Sequence, residues 1–429
     1  MVPQAKLPLE VIIVGAGIGG VAAAVALCRR DHNVTLLESA PQILPIGAGI
    51  QVAPNMLRLL NRWGIGTELY NKGIRLQEVH IRRWQDGSIL GETPVNMSYG
   101  DQVLIHRADL HDALLTKAKE FKNFQLRTDA TVVDVDFDHA SITIQGGKKV
   151  SGDVIIAADG IKSIIRKKVT GDVKDTAIPT GDAVYRLMLT REQMIHDPDL
   201  KPFIEEKKAI RWLGPGGHTV SYPVQNHQAY NLAMAHPDRG GVDESWTTVG
   251  SKEKLLKEYE NWDPILYKML VLVPTQEVLE WKLCSHIPLS TWTKGNCALL
   301  GDACHPMLPY VAQGAAQAVE DAAAIGVILS NLTSRSEIPN ALKIYEKARK
   351  GRAETIQALG PLNREALHLP DGPEQKLRDA QFQKLSAAGT HPDKWADKKT
   401  QEFLWAWDAE VEAEKALKGY TSLPNVDSV

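Results

Sequence analysis

The chain has 429 residues, of which 44% are hydrophobic, and it carries a formal net charge of -3. A chain of this length and composition can bury a large core, and the length predicts two or three domains. The nearly balanced charge excludes the strongly positive potential that would attract nucleic acid. We therefore expect a globular protein without a nucleic-acid partner.

The cysteines and the N-terminal residues predict a cytoplasmic protein. Four cysteines without CxxC spacing are too few to staple a chain of this size, so reduced thiols are expected. The adjacent pair Cys304 and His305 does not by itself make a tetrahedral site, and we expect no metal. The sequence shows no secretory signal pattern and no run of about 18 apolar residues, which predicts no transmembrane segment. The sequence does not decide between a monomer and a homodimer.

Residues 10–39 predict a strand, a helix and a second strand. Apolar runs at 11–14 and 34–37 have the composition of buried strands, and residues 21–27 between them favour a helix. This order is typical of the first unit of a parallel sheet.

A GxGxxG motif formed by Gly15, Gly17 and Gly20 lies between this first strand and helix. Its spacing allows a tight turn, close approach to a pyrophosphate and close helix packing. Glu38 ends the second strand, where a carboxylate can accept from a ribose hydroxyl. The motif predicts a dinucleotide site, with a purely structural turn as the alternative, and does not by itself separate NAD from FAD.

Two later apolar runs, residues 154–158 and 297–300, predict further strands of the same sheet. The first run ends at Asp159 and Gly160, and the second leads into Gly301 and Asp302. Three strand ends that carry such motifs are expected to converge on one extended ligand.

Residues 77–90 and 183–281 have a different pattern, in which apolar and polar side chains alternate and Trp and Tyr are frequent. Alternation of this kind is typical of antiparallel strands with one covered face. The sequence Gly-Pro-Gly-Gly at residues 214–217 predicts a turn within this region. A second, β-rich domain is therefore expected to be inserted into the first.

The C-terminal third of the chain is predicted to be helical. Residues 315–329, 338–358 and 400–419 form the expected helices. The last of them carries an apolar stripe of Phe403, Leu404, Trp407 and Val411. This stripe favours docking on the core, with membrane binding as the alternative.

Three motifs carry a resemblance to a known family: residues 14–20 (VGAGIGG), 158–163 (ADGIKS) and 301–306 (GDACHP). With them, the chain resembles the group A FAD-dependent aromatic hydroxylases, particularly the salicylate hydroxylase-like members common in fungi. The resemblance covers nearly the whole chain. It implies an α/β fold of the para-hydroxybenzoate hydroxylase type, with a Rossmann-like FAD-binding domain, an inserted antiparallel β-sheet substrate domain and C-terminal helices.

The resemblance and the patterns together predict a division of the chain into three parts. The FAD-binding domain is expected to comprise residues 1–75, 103–180 and 284–345. The β-sheet substrate domain is expected to comprise residues 76–102 and 181–283, and the C-terminal helical region residues 346–429.

The positions that match the family's motifs imply a set of FAD-binding residues: Gly15, Gly17, Gly20, Glu38, Gly49, Arg107, Asp159, Gly301, Asp302, Gly314 and Ala315. Glu38 would hold the ADP half, Asp302 the ribityl chain, and Arg107 would lie along the cofactor, unless it forms a surface salt bridge. The role of Asp159 is implied to be partly structural. The helix that Gly314 opens can face the flavin pyrimidine edge and stabilise negative charge there, or can be an ordinary core helix.

The resemblance implies four further residues near the reacting end of the cofactor: Arg186, Tyr222, His305 and Pro306. Arg186 can pair with a phenolate or carboxylate, and Tyr222 can hydrogen-bond a substrate oxygen. A structural arginine pair and a packed tyrosine are the alternatives for these two. His305 has the alternative of a satisfied structural group.

The resemblance implies that NADH or NADPH reduces FAD and that dioxygen then forms a flavin hydroperoxide, which hydroxylates a small aromatic, salicylate-like substrate. Decarboxylative and dearomatising outcomes both stay open, as does the choice of nicotinamide. One alternative is a secondary-metabolite monooxygenase that acts on an indole, alkaloid or polyketide phenol. The other is a non-catalytic flavoprotein redox sensor.

Overall fold

The computed structural model describes residues 3–44, 47–171, 177–240, 248–383 and 391–421. The strands are β1 (Glu10–Val14), β2 (Asn33–Leu37), β3 (Gly49–Val52), β4 (Ile74–Arg75), β5 (Glu78–Arg83), β6 (Ile89–Pro94), β7 (Val103–His106), β8 (Phe124–Arg127), β9 (Val132–Asp136), β10 (Ser141–Ile144), β11 (Lys149–Ser151), β12 (Val154–Ala157), β13 (Ile178–Thr190), β14 (Lys208–Gly214), β15 (Gly217–Val224), β16 (Ala229–Pro237), β17 (Leu279–Ser285), β18 (Thr293–Lys294) and β19 (Cys297–Leu299).

The α-helices are α1 (Ile18–Cys28), α2 (Pro54–Arg62), α3 (Gly66–Lys72), α4 (Arg107–Lys119), α5 (Ile164–Thr170), α6 (Arg191–Ile195), α7 (Lys201–Glu205), α8 (Lys252–Glu258), α9 (Pro264–Leu272), α10 (Gly314–Leu329), α11 (Ile338–Leu367), α12 (Pro373–Gln383), α13 (Lys398–Trp405) and α14 (Ala409–Thr421). Within the described ranges, none of these helices combines the length and the apolar character needed to cross a bilayer.

The first large sheet has six strands in the order β18-β19-β12-β1-β2-β8. Its pairs are parallel except for β18 with β19. Strands β1 and β12 are apolar almost without interruption, as expected when both faces of a parallel sheet are covered. The prediction that the apolar runs near residues 11, 34, 154 and 297 share one sheet is confirmed.

The second large sheet has seven strands in the order β17-β13-β16-β15-β14-β5-β6. The predicted turn joins β14 to β15, with Pro215 and Gly216 between the paired residues Gly214 and Gly217. Gly216 has a φ of +74°, as position i+2 of a type II turn requires. One detail differs from the expected antiparallel sheet, because β5 pairs with β14 in parallel. Strand β5 comes from a much earlier part of the chain, and a long connection can bring it in with either direction.

A small sheet, β3-β7-β4, lies where the two large sheets meet. Gly49 at the start of β3 pairs with His106 at the end of β7, immediately before Arg107 opens α4. The backbone N–H of Gly49 also donates to Oδ1 of Asn231 on β16 at 2.8 Å. This sheet therefore links the FAD-binding half of the molecule to the second large sheet.

Helix α11 is longer than predicted, since it passes residue 358 and runs to Leu367 with Pro361 inside it. The helix was expected to end at residue 358, before the Pro-containing connection around residues 369–373. Pro361 removes a backbone donor but does not end the helix. Packing holds the extension: Asn363 is buried and donates to the carbonyl oxygen of Tyr310 at 2.8 Å. Tertiary contacts outweigh local propensity at this position.

The prediction of one helix over residues 400–419 was wrong, because the segment forms α13 and α14 with a break between them. Arg58 holds the end of α13 by donating to the carbonyl oxygen of Trp405 at 2.9 Å. The segment docks on the core through Trp405 and through Leu404 of the predicted stripe, both of which are buried, and Trp407 of the stripe packs on the core as well. Phe403 and Val411 of the stripe are exposed. The break changes the helical phase, so the stripe does not continue along one face.

Candidate active site

Each glycine of the turn between β1 and α1 meets a different steric requirement. Gly15 has a φ of +96°, and a Cβ there would lie 2.5 Å from the carbonyl oxygen of Ala158. A Cβ on Gly20 would lie 1.9 Å from the carbonyl oxygen of Gly15. Gly17 faces open space and precedes a helix whose first turn has no side-chain cap among the described residues. The turn therefore presents backbone amides to an anion.

Glu38 holds this turn in place. Its Oε2 accepts from the backbone N–H of Ala16 at 2.9 Å, and its Oε1 accepts from the backbone N–H of Ala40 at 2.9 Å. The carbonyl oxygen of Ala16 in turn meets Nε2 of His111 at 2.6 Å. Burial lowers the pKa of His111, so a neutral ring donates through Nε2. The sequence analysis did not single out His111.

The glycine turn opens onto a cleft of about 1230 Å³. Residues in its wall include Gly17, Glu38, Arg107, His111, Arg186 and Trp281. Arg107 is half-buried there, and burial lowers its pKa while the charge of Asp302 opposes that change. Arg107 thus lies in the wall of the cleft and faces a carboxylate of another motif, which places two of the expected cofactor residues together.

Asp159 shapes the turn after β12. Its Oδ1 accepts from Oγ of Ser163 at 2.6 Å, and its Oδ2 accepts from the backbone N–H of Ile164 at 3.1 Å. Burial raises the pKa of Asp159. Arg166 of the following helix donates to the carbonyl oxygen of Ala303 at 3.3 Å, which ties this turn to the third motif. Both oxygens of Asp159 are thus engaged within the protein.

The buried carboxylate of Asp321 holds the third motif in place. Oδ2 of Asp321 accepts from the backbone N–H of Gly301 at 3.0 Å and from Nε2 of His305 at 2.6 Å. Its Oδ1 accepts from Nε of Arg349 at 2.8 Å. Burial works against ionisation of Asp321, but His305 and Arg349 outweigh it and lower the pKa. His305 is 1% exposed and is held by this carboxylate.

Cys304, His305 and Asp321 each place one potential metal-ligand atom within 4.8 Å of the others. The hydrogen bonds of the fold already account for this grouping. Sγ of Cys304 donates to the carbonyl oxygen of Gly301 at 3.3 Å, and Asp321 is shared between His305 and Arg349. Burial raises the pKa of the Cys304 thiol, which keeps it protonated.

Helix α10 begins at Gly314, as the Gly314–Ala315 pair predicted. No side chain in the described part of the chain caps its first turn, and this turn contains no acidic residue. Ala312, just before the helix, has a φ of +51° and lines a cavity together with Pro306 and Asp302. The positive end of α10 therefore begins beside the cavity, where it favours negative charge.

This cavity has a volume of about 230 Å³. Arg186 and Trp281 lie in the walls of both the cavity and the cleft, so the two spaces meet at these side chains. Cζ of Arg186 lies 5.9 Å from the ring centre of Trp281, and the guanidinium is attracted to the hydroxyl of Tyr222. Burial raises the pKa of Tyr222 to about 12, although Arg186 opposes the rise.

Gly49 lets β3 approach the wall of the cavity. A Cβ at this position would lie 2.6 Å from Cγ of Asn231 and 2.6 Å from Cε2 of Tyr222. Both neighbours are buried, so neither can move away without disturbing the sheet. Any larger residue at position 49 would displace Tyr222.

Several residues of the cavity wall were missed by the sequence analysis, among them Arg211, His218 and Tyr310. A signal for one of them was present, because His218, Val220 and Tyr222 alternate along β15 and face the same side of the sheet. Arg211 of β14 lies opposite Val220 of the neighbouring strand β15, and only the register of the sheet shows this pairing.

The described residues fit a bound FAD. The glycine turn and α1 can hold the pyrophosphate, and Glu38 and Asp302 are carboxylates at two points of one continuous space. The uncapped start of α10 lies at its far end. The two-sheet fold and this cleft agree with the fold that the resemblance to FAD-dependent hydroxylases implies.

Comparison with known proteins identifies the family. The family model described as FAD binding domain matches residues 8–359, and the chain belongs to this family of FAD-dependent monooxygenases of the aromatic hydroxylase type. The chain is 41% identical to the FAD-dependent monooxygenase atnJ of Arthrinium sp over 97% of each protein. It is 31% identical to 3-hydroxybenzoate 6-hydroxylase of Polaromonas naphthalenivorans (strain CJ2), over 93% of this chain and 96% of that protein.

Solved structures agree with this assignment. A salicylate hydroxylase in complex with substrate superposes with a TM-score of 0.78 at 25% identity, covering 96% of this chain and 98% of the other. The crystal structure of CtdE with FAD and a substrate gives a TM-score of 0.83 at 22% identity, with coverage of 96% and 98%. The second similarity shows the shared fold.

Proposed function

We propose that the protein hydroxylates a small aromatic compound with an ionisable oxygen substituent, and that it uses NADH or NADPH together with dioxygen. The pair of Arg186 and Tyr222, placed where the cleft meets the cavity, supports this function most directly. The cavity of about 230 Å³ lies below the range of roughly 300–1,000 Å³ for drug-sized ligands, which suits a small substrate.

The charge of Arg186 is not balanced by a carboxylate in the described part of the chain. Burial lowers its pKa, and the attraction that opposes this change comes from the hydroxyl of Tyr222. In the described part of the chain no carboxylate forms an ion pair with Arg186. A phenolate or carboxylate oxygen of the substrate would compensate this charge and would itself be favoured in its ionised form.

Tyr222 and the apolar wall complete the substrate site. Because the pKa of Tyr222 is raised to about 12, its hydroxyl stays protonated at neutral pH and can donate to the same substrate oxygen. Val184, Val220 and Leu283 line the cavity and would pack on the aromatic ring. Their packing excludes water and strengthens the polar contacts at the Arg186 end.

FAD, when bound, supplies the redox chemistry that joins the nicotinamide to dioxygen. We assign its ADP half to the glycine turn and Glu38, and its central part to Arg107 and Asp302. The start of α10 at Gly314 would stabilise negative charge at the opposite end of the cofactor. The sequence contains one GxGxxG turn of this kind, so the nicotinamide is expected to bind transiently.

The test is a screen of FAD-loaded protein against phenolic acids, neutral phenols and indoles, with NADH and NADPH compared. We expect at least one phenol to accelerate nicotinamide oxidation and to yield a hydroxylated product in matching amount. Stimulation restricted to the indoles would move the function to the alternative of secondary metabolism. Nicotinamide oxidation that no compound stimulates would contradict catalysis and support a redox sensor.

A further inference from the structure

The cavity has a second arginine on the side opposite Arg186. Strand register places Arg186 of β13, Ala233 of β16, Val220 of β15 and Arg211 of β14 in one row across the sheet. Three strand spacings of about 4.8 Å separate the two arginine backbones by roughly 14 Å. The small side chains of Ala233 and Val220 lie between them, and all four residues line the cavity. The row therefore forms an apolar floor with a cation at each end.

The two arginines differ in how their charges are balanced. Arg211 donates through one terminal nitrogen to Oδ2 of Asp393, and both residues are buried. Asn363 and the backbone N–H of Trp395 each donate to the other oxygen of Asp393 at 3.0 Å. Nε of Arg211 is buried and has no hydrogen-bond partner among the described residues. Arg211 is thus neutralised, but it lines the cavity and its bond to Asp393 occupies only one terminal nitrogen, so N–H groups other than the buried Nε remain for a ligand.

His218 lies beside Arg211 in the same wall. Its Nδ1 meets Nε2 of His368 at 2.7 Å, which leaves Nε2 of His218 as the ring nitrogen available to the cavity. Burial lowers the pKa of His218 well below its ordinary value and that of His368 to about 4. Both rings are therefore neutral and act as hydrogen-bonding groups.

The residues that orient this wall come from the C-terminal part of the chain. Asp393 holds Arg211, and His368 holds His218. The family match covers residues 8–359, so both orienting residues lie beyond it. The side chains that form this wall thus lie within the matched range, whereas two residues that orient them come from beyond it.

We propose that Arg211 and His218 form a second substrate anchor that binds a neutral oxygen acceptor, such as a ketone oxygen, on the aromatic ring. This inference rests on the proposed function, in which Arg186 holds the ionised oxygen. Asp393 would repel a second anion next to Arg211, whereas a carbonyl oxygen accepts from the guanidinium without that repulsion. The substrate class is therefore a phenol that carries a carbonyl group across the ring.

The experiment measures binding through the change in flavin absorbance of FAD-loaded protein. The ligands are 3- and 4-hydroxyacetophenone, the 3- and 4-ethylphenols that lack the ketone oxygen, and 3- and 4-hydroxybenzoate. We expect one ketone to bind about 10- to 100-fold more tightly than its ethyl analogue, because a hydrogen bond to a charged group changes affinity by about this factor. The matching hydroxybenzoate should bind more weakly than the ketone.

Two variants separate the anchor from a structural role. Arg211→Met should bring the ketone-to-ethyl ratio close to one, and Asp393→Asn should shift the preference toward the hydroxybenzoate because Arg211 then lacks its counter-charge. Arg191→Gln is the matched control, since Arg191 pairs with Glu205 at an exposed position of the same half of the molecule. FAD content and melting temperature are recorded for each variant. If Arg211→Met does not fold, the ligand preference of Asp393→Asn tests the anchor.

The outcomes distinguish the two proposals. Phenols that bind to the wild type without discriminating ketone from ethyl group contradict the anchor and leave the proposed function standing. An unchanged preference in both variants also contradicts the anchor. Failure of every phenol to perturb the flavin contradicts the proposed function and the anchor with it.

Discussion

Nε2 of His305 donates to Asp321 across 2.6 Å, and the same carboxylate also receives the backbone N–H of Gly301 at 3.0 Å. One buried acid thus fixes two points of the loop that carries Asp302. Arg349 balances its charge from α11. The shape of the cofactor site therefore depends on a helix that lies behind it.

We expect Asp321→Asn to destabilise the protein and to reduce FAD retention. The change removes one of the two carboxylates that balance Arg349 in the core, while Glu320 still pairs with Arg349 at 2.6 Å. The expected loss is therefore about 1–3 kcal/mol, below the cost of a buried charge left without any partner. Urea unfolding and the flavin content of purified protein measure the two effects. Asp199→Asn is the control, because its exposed pair with Lys268 should contribute at most about 1 kcal/mol. Equal stability of the two variants would show that the Asp321 network is dispensable.

Glu38→Ala should weaken FAD binding. Glu38 accepts from the backbone N–H of Ala16 in the glycine turn and from that of Ala40 in its own loop, and we assign it a ribose hydroxyl. We therefore expect a loss of about 1–3 kcal/mol. Fluorescence titration of apoprotein with FAD gives the affinity. Glu10→Ala serves as the control, since this exposed residue lies at the opposite end of β1. An unchanged affinity in Glu38→Ala removes Glu38 from the cofactor site.

Arg186→Ala and Tyr222→Phe should impair substrate use. Loss of a buried charged hydrogen bond costs about 1.5–3 kcal/mol, which is roughly one to two decades in kcat/KM. The tyrosine variant loses a single hydroxyl and should be affected less. We expect nicotinamide to be consumed with release of hydrogen peroxide in place of product. Oxygen uptake, peroxide and product are measured for each variant.

Tyr70→Phe is a matched control for the tyrosine change, because Tyr70 donates to Asp101 outside the cavity and the cleft. Wild-type coupling in both site variants would show that Arg186 and Tyr222 only support the fold. FAD content is expected to stay near the wild-type value in Tyr222→Phe.

Stability should fall as the pH drops from about 6.5 to about 4. His32 is fully buried, and burial followed by the charge of Arg30 lowers its pKa to about 4. Nδ1 of His32 accepts from the backbone N–H of Leu9 at 3.1 Å, which requires the unprotonated nitrogen. The unfolded chain binds a proton on His32 within this pH window and the folded chain does not, so stability rises with pH there. The loss at pH 4 is roughly 3 kcal/mol for this residue.

Urea unfolding at pH 7, 5.5 and 4 tests this expectation. His32→Asn should show a shallower loss of stability over the same range, because asparagine does not titrate. His139→Asn is the control, since His139 is exposed and its removal should leave the pH slope unchanged. Identical slopes for His32→Asn and the wild type would contradict the assignment.

The cofactor half of the molecule could be predicted largely from the sequence. Gly15 and Gly20 are restricted by close backbone contacts, and the apolar runs of β1, β2 and β12 are long enough to indicate parallel strands. These signals are local, because a positive φ or a close backbone approach allows few residue types.

The substrate half could be predicted only in outline. Alternation showed that strands were present, but it did not show that β5 would pair with β14 or that Arg211 would lie across from Arg186. His305 illustrates the same limit, since its neighbour Asp321 lies sixteen residues away along the chain and meets it only after α10 packs. Sequence distance carries no information about such pairs.

The sequence by itself determined the βαβ start, the three motifs and the order of the two kinds of domain, because each depends on the chemistry of a few neighbouring residues. Only the tertiary structure decided that Pro361 would lie inside α11, that the C-terminal helices would break near Trp405, and that Asp393 would hold Arg211. These features depend on contacts between distant segments. A buried charge must find its partner wherever packing brings one, and packing is a property of the whole fold.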